Sequence, residues 1–350
     1  MPAGILNIGI TGLLATDNPH PGPGIARCLR MAEEFRGELT GLVFEPLSTG
    51  VFSAGLFDRA YVVPYPAAGH DALLYRLEEI HGKTPLDVII PSLDSEVLLY
   101  ARLQDQLAEM GIRVLLPPVS QVKLRAKNLL YEFAKKSGVR VPQTFVLNSV
   151  EEVRTRAAAL GCPFVLKGVL SDARICPSVE EGLRQYGNLL DAWGYPILMQ
   201  RYVSGEEFDV IALMDKGQTL VGAVAMKKIG LTEKGKAFAG VTIDHDRLIG
   251  LTAEILEKLH WIGPAECEFM RDEEGDFHLM EVNGRFPSWL YLAAVAGQNL
   301  PFLTVQLALD RPVSPQKHYR SGKLFVRTVT DSPAEMGTLI DLFRTGEVTL

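Results

Sequence analysis

The sequence predicts a multidomain protein of the α/β and α+β classes, and three observations carry that prediction. Apolar, strand-like runs alternate with helical stretches over residues 1–117, which is typical of a doubly wound parallel sheet. Two lysines, one in a predicted helix and one at a predicted strand end, precede a polar hinge near residue 200. Residues 263–287 then alternate between apolar and polar on both sides of an acidic turn, as in a β-hairpin. A chain of 350 residues is long enough for two or three domains.

The amino-terminal domain is predicted to contain strands at 5–14, 39–44, 60–63, 88–91 and 114–116, and helices after residue 24, at 72–80 and at 96–110. The segment 16–24 after the first strand contains three prolines, which lack the backbone N–H groups that a phosphate cradle needs. We therefore interpret it as a substrate-facing loop in preference to a dinucleotide site. At 91–97, helix capping by Asp94 or Ser95 is favoured over contact with a substrate.

The middle of the chain contains two candidate phosphate-binding lysines, and their sequence contexts differ. Residues 120–137 and 150–160 have helical periodicity, and Lys127 in the first of them has the context of an ordinary surface lysine. Lys167 ends an apolar strand at 163–167, and a lysine at the mouth of a buried strand is better placed to bind a phosphate. A side chain that extends into solvent is the alternative for Lys167.

A polar hinge and a lysine-rich segment follow. An apolar strand ends in the hinge at 200–203, and two further strands are predicted at 210–214 and 219–226. The polar segment 227–240 is predicted to be a loop, either a mobile binder of an anionic ligand or simply exposed. It contains the lysines Lys227, Lys228, Lys234 and Lys236. A helix at 248–259 then leads to the hairpin.

The hairpin carries a candidate metal site. If residues 274–275 form a two-residue loop, Glu268 lies opposite Glu281 and Glu266 opposite Asn283, and Arg285 continues the same face. Like charges opposite each other destabilise a strand pair, and a cation between the carboxylates would remove that penalty. Such oxygen ligands suit Mg²⁺ or Mn²⁺, and Arg285 would reach a phosphate bound to the metal. A solvated acidic hairpin is the alternative, and an odd-numbered loop would shift the register by one residue.

Composition limits the class of function. Hydrophobic residues make up 47% of the chain and charged residues 22%, as in an ordinary globular protein. A net charge of −7 without a basic stripe argues against nucleic-acid binding. The four cysteines form no CxxC pair, which favours reduced thiols over disulfides or zinc. With neither a signal-peptide pattern nor a membrane-length apolar run, a cytoplasmic protein is expected.

The order of these features resembles the ATP-grasp superfamily, in the branch of the carbamoyl-phosphate synthase large chain and the carboxylate–amine ligases. The resemblance is carried by the two lysines, the hinge QRYVSGEEF, and a carboxylate-bearing strand followed by EVNGRF. It implies a Rossmann-like pre-ATP-grasp domain followed by a two-part ATP-grasp fold. The implied boundaries are 1–117 for the first domain, 118–200 for a small lid subdomain, 201–312 for a large subdomain with the metal site, and 313–350 for a carboxyl-terminal extension.

The resemblance implies that the chain binds ATP. The two lysines match those that hold the ATP phosphates. The hinge backbone would meet the adenine edge, with Gln200 reaching the exocyclic amine and Glu207 accepting hydrogen bonds from the ribose. The matching nucleotide-binding residues are Lys127, Lys167, Gln200, Arg201, Tyr202, Val203 and Glu207.

A metal and two catalytic cations are also implied. Glu268, Glu281 and Asn283 match the magnesium ligands of the family, with Mn²⁺ as the other candidate ion. Arg285 matches the arginine beside the γ-phosphate and the acyl phosphate, and Lys228 is the second residue expected to act in catalysis.

Two departures from the family pattern stand out. Ala126 precedes the first lysine where relatives often have Asp. The segment 168–178, GVLSDARICPS, lacks the Gly-rich loop that folds over the phosphates, so fewer backbone N–H groups are available there. Arg174 or the 227–240 segment is the expected substitute, the latter closing over the reaction as a lid. Without such a substitute, nucleotide would be bound but turned over slowly.

The implied function is ATP-dependent ligation of a carboxylate to an amine, or to a thiol, through an acyl phosphate with release of ADP and phosphate. A bicarbonate-activating carboxylase or a carbamoyl-phosphate-synthase-like enzyme is less favoured, because no second ATP-grasp half and no biotin-related module is seen. A non-catalytic ATP-binding protein is the third alternative. The expected partners are a small-molecule or peptide carboxylate and an amine, with no nucleic acid and no membrane, and a homodimer is compatible with the resemblance.

Overall fold

The computed structural model describes residues 5–16, 18–168, 173–232 and 235–350. Contacts divide the chain into two compact units, each built from segments that are distant in sequence. The first unit comprises Met1–Val122, Asp209–Glu266 and Asn283–Leu350, and the second comprises Lys123–Phe208 and Cys267–Val282. The four-part domain division expected from the sequence stays a prediction.

The described residues form strands and helices with the following bounds. The strands are β1 (Leu6–Thr11), β2 (Gly37–Val43), β3 (Arg59–Val62), β4 (Val88–Ile90), β5 (Thr144–Leu147), β6 (Phe164–Gly168), β7 (Ala173–Cys176), β8 (Ile197–Arg201), β9 (Glu206–Met214), β10 (Leu220–Leu231), β11 (Ala237–Ile243), β12 (Gly263–Arg271), β13 (Phe277–Asn283), β14 (Leu324–Val326) and β15 (Glu347–Thr349). The helices are α1 (Gly22–Met31), α2 (His70–Lys83), α3 (Asp94–Glu109), α4 (Val119–Leu124), α5 (Lys127–Ser137), α6 (Glu151–Leu160), α7 (Val179–Trp193), α8 (Asp246–Lys258), α9 (Leu290–Ala296), α10 (Leu300–Ala308) and α11 (Met336–Thr345). Over the described part of the chain, every helix is too short or too polar to cross a membrane.

Four parallel strands in the order β3-β2-β1-β4 form the body of the first sheet. Ile8 and Ile10 on β1 are fully buried, as expected for an apolar strand that is covered on both faces. The strand predicted at 114–116 is wrong, because pairing there is limited to an isolated bridge between Arg113 and β4. Two prolines follow directly, and a proline cannot donate the backbone hydrogen bonds that would extend the pairing.

The carboxyl-terminal tail, for which the sequence predicted no structure, completes this first sheet. Helix α11, with Leu342 buried, leads into β15. Strand β15 pairs antiparallel with β3 and sets Val348 opposite Ala60. Strand β14, earlier in the tail, pairs antiparallel with β11.

The second sheet has six strands in the order β13-β12-β9-β10-β11-β14, and it corrects the loop predicted at 227–240. Strand β10 runs on to Leu231 and β11 begins at Ala237. Lys227 lies opposite Val241 and Lys228 opposite Gly240, so most of the expected lid is paired strand. The part of β10 before the lysines is buried. The pairing of β10 with β11 continues through Lys227 and Lys228 although these residues are polar. Residues 233–234, which include Lys234, lie outside the described residues.

The third sheet belongs to the second unit and is antiparallel, in the order β5-β8-β6-β7. One face packs against α6 and α7 through a core that includes Leu147, Phe164, Leu166, Ile197 and Met199. The loop between β6 and β7 is the segment where the Gly-rich loop was expected to be missing, and its residues 169–172 lie outside the described residues.

The helix predicted at 120–137 is two helices, because α4 ends at Leu124 and α5 begins at Lys127. Ala126 occupies the position before α5 and its side chain makes no capping hydrogen bond. Lys127 is therefore the first residue of a helix, not a residue in the middle of one.

The hairpin of β12 and β13 is confirmed, but its turn differs from the expected one. Asp272 donates its backbone N–H to the carbonyl oxygen of Asp276 at 3.0 Å, and Gly275 donates to the carbonyl of Asp272 at 3.1 Å. The loop thus has three residues, 273–275. Gly275 has a φ of 86°, the left-handed conformation that closes a three-residue hairpin loop. The two-residue loop at 274–275 is wrong, and pairing next to the turn shifts by one residue.

Candidate functional site

One face of the four-stranded sheet carries the polar residues expected at a nucleotide. Across β6 and β8, Lys167 pairs with Leu198 and Val165 pairs with Gln200. Because alternate residues of a strand share a face, Lys167 and Gln200 lie on the same face, away from α6 and α7. Gln200 is 8% exposed and Lys167 is partly buried. The second unit therefore brings the predicted phosphate lysine and the predicted adenine residue to one surface.

The charge state of Lys167 is set by burial and by four neighbours. Its pKa is lowered to about 8, first by burial and then by the ammonium of Lys127. Glu281, Glu268 and Glu207 act against this shift and raise the pKa, because carboxylates favour the charged ammonium. Lys167 and these four neighbours were all predicted to belong to the site. The second unit therefore brings together both predicted lysines and three predicted carboxylates.

Lys127 reaches the hairpin carboxylates from the start of α5. Its Nζ lies 3.8 Å from Oε1 of Glu281, and its side chain is only 14% exposed. The break between α4 and α5 makes Lys127 the first residue of its helix, and the side chain is largely withdrawn from solvent. Lys127 is therefore not the solvated surface lysine that its sequence context suggests.

The predicted adenine hinge begins at the end of β8. Arg201 donates its backbone N–H to the carbonyl oxygen of Gln143 at 2.8 Å, and its side chain is exposed. Tyr202 and Val203, the next two residues, are partly buried. The exposure of the Arg201 side chain agrees with a hinge that acts through its backbone.

A glycine fixes the start of β9 after this hinge. A Cβ at Gly205 would lie 1.9 Å from the carbonyl oxygen of Arg271, so only glycine permits this approach. The Arg271 guanidinium also forms an ion pair with Glu206. These two contacts set the position of the β9 strand, which carries the predicted ribose ligand Glu207 as its second residue.

In the first unit, Glu266 joins three residues at the carboxyl end of the hairpin. Its side chain is 6% exposed. It accepts hydrogen bonds from Nδ2 of Asn283 at 3.0 Å, Nη1 of Arg285 at 3.0 Å and Nε1 of Trp289 at 2.8 Å. A buried carboxylate needs donors and a counter-charge, and Arg285 supplies the latter. Glu266 therefore orients two residues that were predicted to act in the site.

Arg285 is held between two carboxylates. Besides Glu266, it binds Oδ2 of Asp94 through Nε at 3.0 Å and Nη2 at 2.9 Å. Burial and then the charge of Arg285 lower the pKa of His20, so the imidazole of the 16–24 segment lies near this guanidinium. His20, in the segment expected to face the substrate, is thus within the electrostatic influence of Arg285. Its residue 17 lies outside the described residues.

The capping role expected for Asp94 or Ser95 belongs to Glu96. Oε1 of Glu96 accepts the backbone N–H groups of Ser92 at 2.8 Å and Leu93 at 2.9 Å. Burial raises the pKa of Glu96 to about 7, although these hydrogen bonds favour the ionised form. Because Glu96 caps α3, the carboxylate of Asp94 is directed to Arg285 instead.

Lys228 lies on β10 in a buried ion pair. Its Nζ is 3.2 Å from Oδ1 of Asp209, and the two side chains are 7% and 4% exposed. The expectation that Lys228 belongs to a mobile loop is wrong, because β10 continues through it. Its catalytic role stays a prediction, and it would act from a fixed position beside Asp209.

The sequence set Glu266 opposite Asn283 but did not indicate that it binds Arg285 and Trp289. Asp209 had a usable signal, since it lies two residues from the predicted ligand Glu207 on β9. Thr144, which accepts a hydrogen bond from Gln200, and Trp289 gave no local signal. Their partners are distant in sequence, and only the folded chain brings them together.

The hairpin carboxylates suit a magnesium ion that also binds phosphates. Where the chain is described, no group of three or more His, Cys, Asp or Glu side chains converges as a metal cage. The predicted set has two carboxylates, Glu268 and Glu281, which both raise the pKa of Lys167, and the amide of Asn283. Proteins commonly hold Mg²⁺ through one or two carboxylates together with substrate phosphates. The residues present therefore fit the ion without a third acidic ligand.

Comparison with known proteins bears out the resemblance. Residues 195–332 match the family described as ATP-grasp in the biosynthetic pathway with Ter operon. The carbamoyl phosphate synthase large chain of Thermomicrobium roseum is 25% identical over 281 residues, covering 76% of this chain and 25% of that protein. A D-alanine–D-alanine ligase of Pseudomonas fluorescens is 23% identical over 244 residues, 65% of each chain. The chain thus spans a quarter of the first relative and just under two thirds of the second.

Solved structures share the fold. The biotin carboxylase domain of the Hydrogenobacter thermophilus 2-oxoglutarate carboxylase matches with a TM-score of 0.73 at 17% identity, covering 92% of this chain and 74% of that chain. An L-amino acid ligase from Bacillus licheniformis matches with a TM-score of 0.68 at 16% identity, covering 88% and 75%. The molecule therefore has the mixed α/β, multidomain architecture of these proteins.

Proposed function

We propose that the protein is an ATP-dependent ligase that joins a carboxylate to an amine or to a thiol, because residues 195–332 match an ATP-grasp family. The observation that carries the proposal is the group around Lys167. A second lysine and three carboxylates act on this one ammonium, which is the combination that a nucleotide phosphate and its cation require. The relatives named as ligases support the same reaction class.

The nucleotide-binding residues divide by the part of ATP that they contact. Lys127 and Lys167 bind the phosphates as cations. Gln200 and the backbone of residues 201–203 contact the adenine, and Glu207 accepts hydrogen bonds from the ribose hydroxyls. The shared sheet face of Lys167 and Gln200 supports this arrangement, since the two ends of one nucleotide would lie along it.

The reaction itself needs positioning and charge more than covalent chemistry by the protein. A carboxylate oxygen of the substrate attacks the γ-phosphorus and ADP leaves, which gives an acyl phosphate. The amine, after losing a proton, attacks the acyl carbon and phosphate leaves. In this proposal Arg285, held by Asp94 and Glu266, binds the transferring group, and Lys228 contributes a second fixed charge.

Glu268, Glu281 and Asn283 would hold a Mg²⁺ or Mn²⁺ ion, which when bound supplies charge neutralisation at the outer phosphates. The two carboxylates belong to the second unit and raise the pKa of Lys167 there. Asn283 follows Glu281 by two residues on β13, so strand alternation directs both side chains to one face.

Arg327 is a candidate anchor for the carboxylate substrate. Its guanidinium donates to the carbonyl oxygen of Ala237 at 3.0 Å and to the hydroxyl of Ser288 at 2.9 Å. Burial lowers the pKa of Arg327. Arg285 is compensated by two carboxylates, whereas Arg327 has no acidic partner among the residues that the structure describes. A carboxylate would therefore gain more from Arg327 than from Arg285.

We extend the proposal to the amino-terminal segment, which we assign as a Rossmann-like pre-ATP-grasp domain. The parallel order β3-β2-β1-β4 supports this assignment, since ligands of such sheets bind outside the carboxyl ends of the strands. The electrostatic effect of Arg285 on His20 supports a substrate-facing role for that end. The substrates in this proposal are a small-molecule or peptide carboxylate and an amine.

The proposal is tested by following ADP formation. Purified protein with MgATP is incubated with a panel of amino acids, D-alanine and dicarboxylic acids, each with and without an amine. ADP release that depends on one carboxylate is the expected result, and a joined product should appear only when the amine is added. ADP formation that needs bicarbonate, with no amide product, would assign the chain to the bicarbonate-activating class instead.

The hinge should recognise ATP through its backbone and the ribose through Glu207. We expect Glu207→Ala to raise the dissociation constant for ATP about tenfold, because a hydrogen bond to a charged group is lost. Arg201→Ala is the matched control and should change the constant less than about twofold, since its side chain is exposed. Calorimetric titration with ATP measures the dissociation constant of both variants. The opposite order of effects would mean that the hinge register is misassigned.

A further inference from the structure

The side-chain amide of Gln200 is buried, and only its nitrogen has a hydrogen-bond partner among the described residues. Gln200 on β8 lies directly opposite Thr144 on β5, and the two residues are 8% and 7% exposed. Nε2 of Gln200 donates to Oγ1 of Thr144 at 2.9 Å. Oε1 of Gln200 is buried and has no hydrogen-bond partner among the described residues. A buried acceptor without a donor is costly and calls for a ligand that supplies one.

Chemistry fixes which end of the amide faces Thr144. The Thr144 hydroxyl has one proton, and it donates that proton to the carbonyl oxygen of Pro142 at 2.9 Å. A hydroxyl that has already donated can only accept from Gln200. The amide must therefore turn Nε2 toward Thr144 and leave Oε1 for a ligand. The oxygen and nitrogen of a glutamine side chain are usually hard to tell apart. Here the hydrogen bonds from Gln200 to Thr144 and from Thr144 to Pro142 assign them.

The position of Oε1 suits the base of a nucleotide. Gln200 is the last residue but one of β8 and the first residue of the hinge. It shares a sheet face with Lys167, two positions along the paired strand. A nucleotide whose phosphates meet Lys167 would extend its base along this face toward the hinge.

We propose that Thr144 is a positioning residue that makes the site select 6-amino purines over 6-oxo purines. With Oε1 of Gln200 presented as an acceptor, the exocyclic amine of adenine donates a hydrogen bond to it. Inosine and guanine carry a carbonyl at this position, so two acceptors would face each other without a proton between them. The amide cannot reverse to accommodate them while Thr144 donates to Pro142. This inference rests on the proposed nucleotide site and adds its base specificity.

The test compares Thr144→Val with Thr144→Ser. Valine keeps the branched shape but removes the hydroxyl, so the amide of Gln200 is free to reverse. Serine keeps the hydroxyl and should keep the amide in place. Dissociation constants for MgATP and MgITP are measured by calorimetry for wild type and both variants, with thermal melting to show that each is folded. Inosine triphosphate is used because it has a carbonyl in place of the 6-amino group of ATP, a change that also places a proton on N1.

In wild type and Thr144→Ser we expect ATP to bind at least about tenfold more tightly than ITP. In Thr144→Val the two dissociation constants should differ by no more than about threefold, because ITP binds more tightly and ATP less tightly than in wild type. A Thr144→Val protein with the wild-type ratio would overturn the role of Thr144 and leave the proposed function intact. A wild type that binds ATP and ITP equally would also overturn it. If wild type binds neither nucleotide, the proposed function itself fails.

Discussion

Replacing Glu281 by Gln is expected to abolish ligase turnover and most of the Mg²⁺-dependent rise in melting temperature in the presence of ATP. Glu281 lies 3.8 Å from Nζ of Lys127 and raises the pKa of Lys167. It also belongs to the predicted metal set. A ligand that binds only the folded state raises its stability, so the loss of one carboxylate ligand should remove that linkage. Thermal melting with ATP, with and without Mg²⁺, measures the effect independently of any substrate.

The matched control for Glu281 is Glu274→Gln in the same hairpin. Glu274 is exposed in the three-residue loop, so the substitution changes net charge equally but leaves the proposed ligands in place. It should keep the full Mg²⁺-dependent rise. If the Glu281→Gln protein also kept it, the hairpin would be an acidic surface without a metal role.

Lys167→Ala is expected to weaken ATP binding by about 1.5–3 kcal/mol, the range for a hydrogen bond to a charged group. The pKa of Lys167 is lowered to about 8, mainly by burial and then by Lys127. The ammonium is therefore largely protonated at pH 7 and largely neutral at pH 9. A phosphate prefers the charged form, so ATP binding by wild type should weaken as the pH rises through 8, with proton uptake on binding in that range.

Calorimetry of wild type and Lys167→Ala at pH 7 and pH 9 checks both parts of this expectation. Lys136→Ala is the control, because Lys136 is exposed on α5. Its affinity should follow the wild-type pH profile, whereas Lys167→Ala should lose that dependence. An unchanged affinity for Lys167→Ala at pH 7 would remove Lys167 from the phosphate site.

Two lysines, Lys167 and Lys228, show how much of the site can be predicted from the sequence. Lys167 could be predicted because an apolar run that ends in a lysine puts the ammonium at the edge of a sheet. The buried environment of Lys228 could not be predicted, because it depends on Asp209 of the neighbouring strand. The polarity of 227–240 indicated a loop, while the pairing of β10 with β11 made it a strand.

The hairpin shows the same limit at a finer scale. Alternation of apolar and polar residues predicted both strands, but the sequence between them is compatible with two- and three-residue loops. The left-handed conformation of Gly275 selects the longer loop. Glu268 and Glu281 nevertheless both act on Lys167, so the predicted association of these carboxylates survives the change at the turn.

Contacts between distant parts of the sequence were beyond prediction from local pattern. Asp94 had the context of a helix cap, and only the fold brings it to Arg285. Strand β15 at the end of the chain has a short and weakly patterned sequence, and its place beside β3 is decided by an open sheet edge. In both cases tertiary pairing outweighs local propensity.

The central claim is that ATP is cleaved between its β- and γ-phosphates to activate a carboxylate. Cations and carboxylates are grouped around Lys167, and a metal held by Glu268, Glu281 and Asn283 would add the charge neutralisation that transfer of the terminal phosphoryl group needs. The most direct measurement is chromatography of the nucleotide products once a carboxylate substrate is found. The account predicts ADP and inorganic phosphate in amounts equal to the joined product. AMP and pyrophosphate as the major products would contradict it, even if ATP binds as proposed.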